Sequence, residues 1–335
     1  MTRPFSHINE ILRIVLLSIS PVAIATLLVA PGGMEKLFAA GGSVGGASSA
    51  EFLKINTGVR PSSMAGAYTA VSDDNLALYY NPAGLSQLES GNGISASYNK
   101  WILDTSVSNF TYAHSFDEYG TAALGFTYYD SGAIEGRGEY KDQTTGDFKN
   151  TSMAAVLGYG NEFFEGFSCG LSAKFIAESV NSESTSGFAA DLGIHYKTIL
   201  DFGEVSGGAA LKNIGSKLWE NYSLPLTATL GIAAKPVKNF LLVSADYSLP
   251  QSGGGASSGG VGFEITPSDS LSLRAGYRIG LADVSGIYAL TFGFGYKYIT
   301  ESEEDGGISE YIFNYGFSTQ GDLGLVHRVE IGYAF

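Results

Sequence analysis

Tyr288-Ala289-Leu290-Thr291-Phe292-Gly293-Phe294-Gly295-Tyr296-Lys297-Tyr298 is the stretch on which the fold turns. Successive side chains of a β-strand point to opposite faces. Tyr288, Leu290, Phe292, Phe294, Tyr296 and Tyr298 then share one face, while Ala289, Thr291, Gly293, Gly295 and Lys297 share the other. One face is aromatic and the other small or polar. The same division recurs at 167–177, with Phe167, Cys169, Leu171, Ala173 and Phe175 set against Ser168, Gly170, Ser172, Lys174 and Ile176. It recurs again at 188–197, where Phe188, Leu192 and Ile194 oppose Asp191, Gly193 and His195.

Extended along the chain, this period predicts about fourteen strands: 94–103, 106–116, 120–130, 151–162, 167–180, 187–198, 204–213, 226–235, 239–248, 257–266, 270–279, 287–300, 309–319 and 326–335. Spans of roughly ten residues suit a tilted crossing of a bilayer. Pro61, Pro82, Pro225, Pro236, Pro250 and Pro267 all fall outside these spans, as expected of a residue that cannot donate to a ladder. A soluble sandwich also alternates, but it buries its apolar face and charges the other. Here the non-aromatic face is mostly Gly, Ser, Ala and Thr, so a transmembrane antiparallel β-barrel in an outer membrane is expected, its aromatic face in lipid.

Composition agrees. Of 335 residues, 45 are Gly, 20 Tyr and 20 Phe, and only 16% are charged, against about 25% in ordinary soluble domains. The net charge of −14 argues against a nucleic-acid partner, which needs clustered Lys and Arg. A single cysteine, Cys169, excludes an internal disulfide and a cysteine zinc site. His114, His195 and His327 lack metal spacing, and there is no Gly-x-Ser-x-Gly elbow, P-loop or His-Glu-x-x-His. Neither an enzyme nor a cofactor is expected.

Residues 1–39 read as a secretory signal: Arg3 and Arg13, the uncharged run Ile14 to Ala30, and Leu37-Phe38-Ala39 before a cleavage at Ala40. An uncleaved anchor is the competing reading. Residues 44–93 do not alternate, and 40–93 form a separate amino-terminal segment, with the barrel at 94–335. About eight strands suffice to fill a barrel with its own side chains, so fourteen leave a lumen that 40–93 could plug. The small inward positions are expected to leave open space. By parity Lys174, Asp191, Lys197, Asp246, Arg274, Arg278, Arg328 and Glu330 face the lumen, as an interior network or a selectivity filter. Trp101 and Trp219, near strand ends, are expected to anchor the barrel at the lipid interfaces.

Several motifs point to a family. They are Phe52-Leu53-Lys54-Ile55, Gly58-Val59-Arg60-Pro61, the run Met64 to Asp74, and Leu78-Tyr79-Tyr80-Asn81-Pro82-Ala83-Gly84-Leu85. Further along come Asn213 to Leu218, Arg274-Ala275-Gly276-Tyr277-Arg278 and Gly321 to Arg328. Together they resemble the PorV/PorQ family of the FadL-like outer-membrane superfamily, with Val59, Ala65 and Tyr80 as mild departures. The resemblance implies a fourteen-stranded barrel with an amino-terminal plug. It implies an accessory to protein export that receives exported proteins or secretion-system subunits, or alternatively a transporter of fatty acids and other hydrophobic molecules. Loops this short favour the former. The Asn81-Pro82-Ala83-Gly84 box is expected to turn the plug, or to touch a ligand. The terminal strand ending on Phe335 resembles the signal read by the barrel-assembly machinery.

Overall fold

The computed structural model describes residues 48–88, 91–137, 144–237, 240–252, 257–280, 290–301, 308–320 and 323–335. The signal segment, most of the acidic run 301–305 and half of the Gly/Ser stretch 253–260 lie outside the described residues.

Fourteen strands close into one antiparallel barrel. In chain order the strands are β1 (Asn92–Lys100), β2 (Ser106–Ser115), β3 (Thr121–Asp130), the short pair β4 (Ile134–Arg137) and β5 (Thr144–Phe148), β6 (Asn150–Phe164), β7 (Phe167–Val180) and β8 (Glu183–Leu200). Then follow β9 (Gly203–Gly215), β10 (Thr227–Val237), β11 (Leu241–Pro250), β12 (Ser258–Ser268), β13 (Leu271–Ile279), β14 (Leu290–Glu301), β15 (Ile308–Thr319) and β16 (Leu325–Ala334). Each barrel strand pairs with its neighbour in the chain, except that β3 pairs with β6 past the separate β4–β5 hairpin. The seam is β1 against β16, from Gly93 opposite Ala334 to Lys100 opposite His327. Connections 131–149, 216–226 and 251–257 lie at one end. The seam's Asn92 and Phe335 lie at the other, with the tight turns at 165–166, 201–202 and 269–270. Outer-membrane barrels carry long loops outside and short turns inside.

The expected parity holds. Phe292, Phe294, Tyr296 and Tyr298 are exposed on the outer face, while Thr291 and Gly295 are buried. Outward rings neighbour one another across strands, as with Phe292 and Phe317 at 5.5 Å and Tyr311 and Tyr333 at 4.9 Å. Three prolines depart from expectation. Pro236, Pro250 and Pro267 lie within strand ends. The ladder shifts register beside two of them, between Ala234 and Val237 and between Ile265 and Ser268. A bulge leaves a residue unpaired, so the missing N–H costs nothing there.

Residues 48–88 are folded against the inward faces of the wall. This segment holds a 3-10 turn at Glu51–Lys54, helix α1 (Val59–Ser63), helix α2 (Ala77–Tyr80) and a 3-10 turn at Pro82–Gln87. Met64, Tyr68, Leu78 and Leu85 are wholly buried. Many of the small inward positions are therefore occupied rather than open. A Cβ on Gly170 would strike the backbone of Pro82 and Ala83, and one on Gly276 would strike that of Met64 and Ala65. Gly158 and Gly293 instead meet the side chains of Leu78 and Ser63. Inward glycines let the segment's main chain approach the wall more closely than any side chain would permit.

Candidate functional site

Asn81 organises the middle of the inner segment. Its carboxamide oxygen accepts from the Ala83 N–H (3.2 Å), capping the 3-10 turn that Pro82 opens. Its amide nitrogen donates to the carbonyls of Thr69 (2.9 Å) and Ile194 (2.9 Å), joining segment to wall. A Cβ on Gly84 would strike Ser72, so this glycine permits the chain to fold back on itself. Asn81, Pro82, Ala83 and Gly84 are all buried, and none lines the lumen cavity.

A second tie is ionic. Arg60, in α1, reaches Asp73 (2.6 Å) and Asp74 (3.2 Å) within the segment and grips Glu264 of β12 with two nitrogens (2.8 and 2.9 Å). It also donates to the Tyr68 hydroxyl at 2.8 Å. Glu264 is shared with Arg274 (2.6 Å), which donates to Asn314 (2.8 Å). Asn314 donates to Glu330 (2.7 Å), and Glu330 accepts the Val59 N–H of α1 (2.9 Å). The chain of bonds leaves the segment and returns to it one residue away. Burial favours the neutral acid at Asp73, but Arg60 and Lys235 outweigh it and hold this carboxyl below the usual range. At Asp74 burial prevails over Arg60 and pushes the carboxyl up.

Other parity residues stand apart from this network. Arg328 donates to Ser318 (3.1 Å), its guanidinium 5.2 Å from the Trp101 ring. Arg278 donates to the Thr319 carbonyl (3.2 Å). Trp101 is thus half-buried beneath a lumen cation, and Trp219 donates its indole N–H to Glu178 (3.1 Å) near the long-loop end of β7. An indole that has a partner inside the barrel does not need the interface, so the expected lipid anchoring is not found at either tryptophan.

Between the segment and the long-loop half of the wall lies a cavity of about 330 Å³. Its apolar lining includes Phe52, Leu53, Ile55 and Tyr79 from the segment with Ala154 and Val156 from β6. Its polar lining includes Lys174, Lys212, Asn213, Asp246 and Arg278. A bulge makes one corner. Ala190 pairs with Ile214, but Leu192 pairs with Leu211, so β9 carries one extra residue opposite Asp191. Asn213 takes up the irregularity at φ 64°, a left-handed conformation that Asn tolerates. Lys212 and Asn213 consequently both line the cavity. Asp191 accepts from the Asn213 N–H (2.8 Å) and pairs with Lys174 (2.7 Å). Lys212 lies 5.6 Å from the Tyr80 ring. Asp246 accepts from the N–H groups of Tyr68 (3.1 Å) and Thr69 (2.9 Å).

Among the parity residues, Lys174, Asp191, Asp246 and Arg278 meet at or beside this cavity, whereas Arg274, Arg328 and Glu330 do not line it. Lys212, Glu264 and Glu178 were not anticipated. Glu264 and Lys212 have the inward parity of their strands, so alternation alone could have found them. Arg60 carried no period to read.

No protein-family model matches the sequence, and no curated protein matches it. Solved structures do resemble the fold. The toluene transporter TodX of Pseudomonas putida is 14% identical with a TM-score of 0.58, over 83% of this chain and 98% of that one. The toluene transporter TbuX of Ralstonia pickettii is 14% identical with a TM-score of 0.53, over 83% and 97%. The monoaromatic hydrocarbon channel CymD is 14% identical with a TM-score of 0.50, over 83% and 97%. The barrel architecture implied by the FadL-like resemblance is thus found, and the narrower PorV/PorQ likeness rests on its motifs alone.

Proposed function

We propose that this chain is an outer-membrane channel that admits small hydrophobic molecules through the long-loop end of the barrel, without chemistry. The cavity carries the reading: apolar segment and wall residues meet there beside a few fixed polar groups, the usual make-up of a small-molecule site. Its volume of about 330 Å³ is more than twice the roughly 150 Å³ of an apolar cavity that holds benzene. A monoaromatic ring or a short acyl chain fits, and Lys212 is placed to meet a carboxylate end. The structural likeness to hydrocarbon channels supports the same reading. Residues 40–93 would serve as its plug, residues 1–39 as its removed signal, and Phe335 as the mark for barrel assembly.

The test is uptake by proteoliposomes, with radiolabelled toluene and a fatty acid as the two probes. Uptake above that of empty vesicles, lost when Ala154→Phe fills the cavity, supports the channel. No uptake of either probe, with an exported protein copurifying stoichiometrically in mild detergent, would favour the secretion-accessory reading suggested by the PorV/PorQ motifs.

A further inference from the structure

The wall of the cavity nearest the long loops is formed partly by residues 52–56. These follow a short strap, Ser48 to Ala50, that lies under the 216–226 loop. Ser49 donates its N–H to the Ser223 carbonyl (3.1 Å) and its hydroxyl to that of Tyr222 (3.1 Å). Phe52, Leu218 and Leu224 are buried in one cluster, with Leu53 and Trp219 packed against it. One carboxylate serves both parts. Glu178, near the long-loop end of β7, accepts from the Ala50 N–H (3.1 Å) and the Trp219 indole (3.1 Å) on the same oxygen. Its other oxygen accepts from Ser152 (3.4 Å). Three residues joined here hold left-handed backbones without being glycine: Ala50 (φ 52°), Trp219 (φ 47°) and Glu220 (φ 66°). Such conformations persist only where surrounding contacts over-determine them.

We infer that Glu178 is the latch of a lid: it clamps the strap and the Trp219 loop together over the lumen mouth, and its release opens the cavity to the outside. The proposal rests on the channel function for its transport consequence, but not for the motion itself. Removing the common acceptor loses both hydrogen bonds and leaves the left-handed backbones free to relax.

The protein has two tryptophans, so Trp101→Phe leaves Trp219 as the reporter. In that background, Glu178→Ala in proteoliposomes should shift Trp219 emission to the red and raise its quenching by acrylamide. Toluene uptake should rise about tenfold or more, the worth of one hydrogen bond to a charged acceptor. Glu178→Gln, which keeps an acceptor oxygen, should lie between. A second variant works in the opposite sense. Ser49→Cys with Ser223→Cys, in a Cys169→Ser chain, should stop uptake when oxidised and restore it on reduction. Unchanged Trp219 emission and quenching in Glu178→Ala would overturn the latch, as would oxidised and reduced double-cysteine proteins that transport alike. If even the parent takes up nothing, the channel reading fails, while Trp219 emission still decides the latch.

Discussion

Arg60→Met removes the cation on which three carboxylates depend. Arg60 is within 3.2 Å of Asp73, Asp74 and Glu264, and its side chain is 16% exposed. Deleting one partner of a buried pair costs about 3–5 kcal/mol, because the charge left behind has lost both water and partner. Glu264 keeps Arg274, and Asp73 keeps Lys235 at 3.4 Å, so the lower figure applies. At about 1.4 kcal/mol per tenfold, 3 kcal/mol multiplies the unseated fraction of the segment by roughly 150. The wall strands lose no ladder bond. The variant should therefore keep the heat-dependent gel mobility of a folded barrel while showing frequent large openings in planar bilayers. A chain lacking residues 48–88 sets the fully open conductance. Arg60→Met with Glu264→Gln should conduct less than the sum of the two single changes, since the second relieves a charge the first strands. A folded Arg60→Met barrel as quiet as the parent would refute the idea that this ionic knot seats the segment.

Other outcomes follow from the same geometry. The detergent-purified protein should run at a different apparent mass unboiled than boiled on SDS gels, and solubility without detergent would contradict a lipid-facing wall. Phe294→Arg, on the outward face midway along β14, should cost about 2–4 kcal/mol of folding free energy in lipid, measured by denaturant titration. Gly170→Val should drive Pro82 off the wall and raise conductance, whereas Gly207→Val, whose Cβ position meets nothing nearer than 4.0 Å, should not change conductance. In a His195→Gln background, which removes the buried imidazole at the Ala70 carbonyl, acidification from pH 8 to 5 should not open the barrel. A depressed carboxyl such as Asp73 yields its stabilisation only as pH falls below the ordinary value near 4, and a raised one such as Asp74 favours the folded form as it takes up a proton. Openings that multiply by pH 5 would contradict that assignment.

All fourteen barrel strands are legible, since each keeps a two-residue period over most of its length, with bulges in β9 and near the ends of β10 and β12. The β4–β5 hairpin was not: it is short, and Gly136 pairs with Gly146 instead of an apolar residue. On the inward face, alternation gives the parity of the glycines but not what they border. Small residues look the same in sequence whether they border a void or a neighbouring backbone, and only the path of residues 59–85 decides between them. The Asn81-Pro82 turn could be anticipated because Asn and Pro act locally. The Arg60 knot could not, because Glu264 reaches it from the wall, 204 residues away along the chain. The corner at Lys212 and Asn213 depends on one inserted residue, which alternation represents only as a slip.

The seam between Gly93 and Ala334 also governs how the molecule comes into being. Its partners stand at opposite ends of the barrel sequence, so this pairing is the most expensive loop closure in the molecule and belongs to the slow end of folding. Until it forms, β1 and β16 each present a row of unpaired peptide groups, which lipid does not tolerate. The inner segment directly precedes β1 and is surrounded on all sides once the cylinder is complete. The wall's inward glycines are shaped to it, so the closure that removes the last exposed edges also confines the segment.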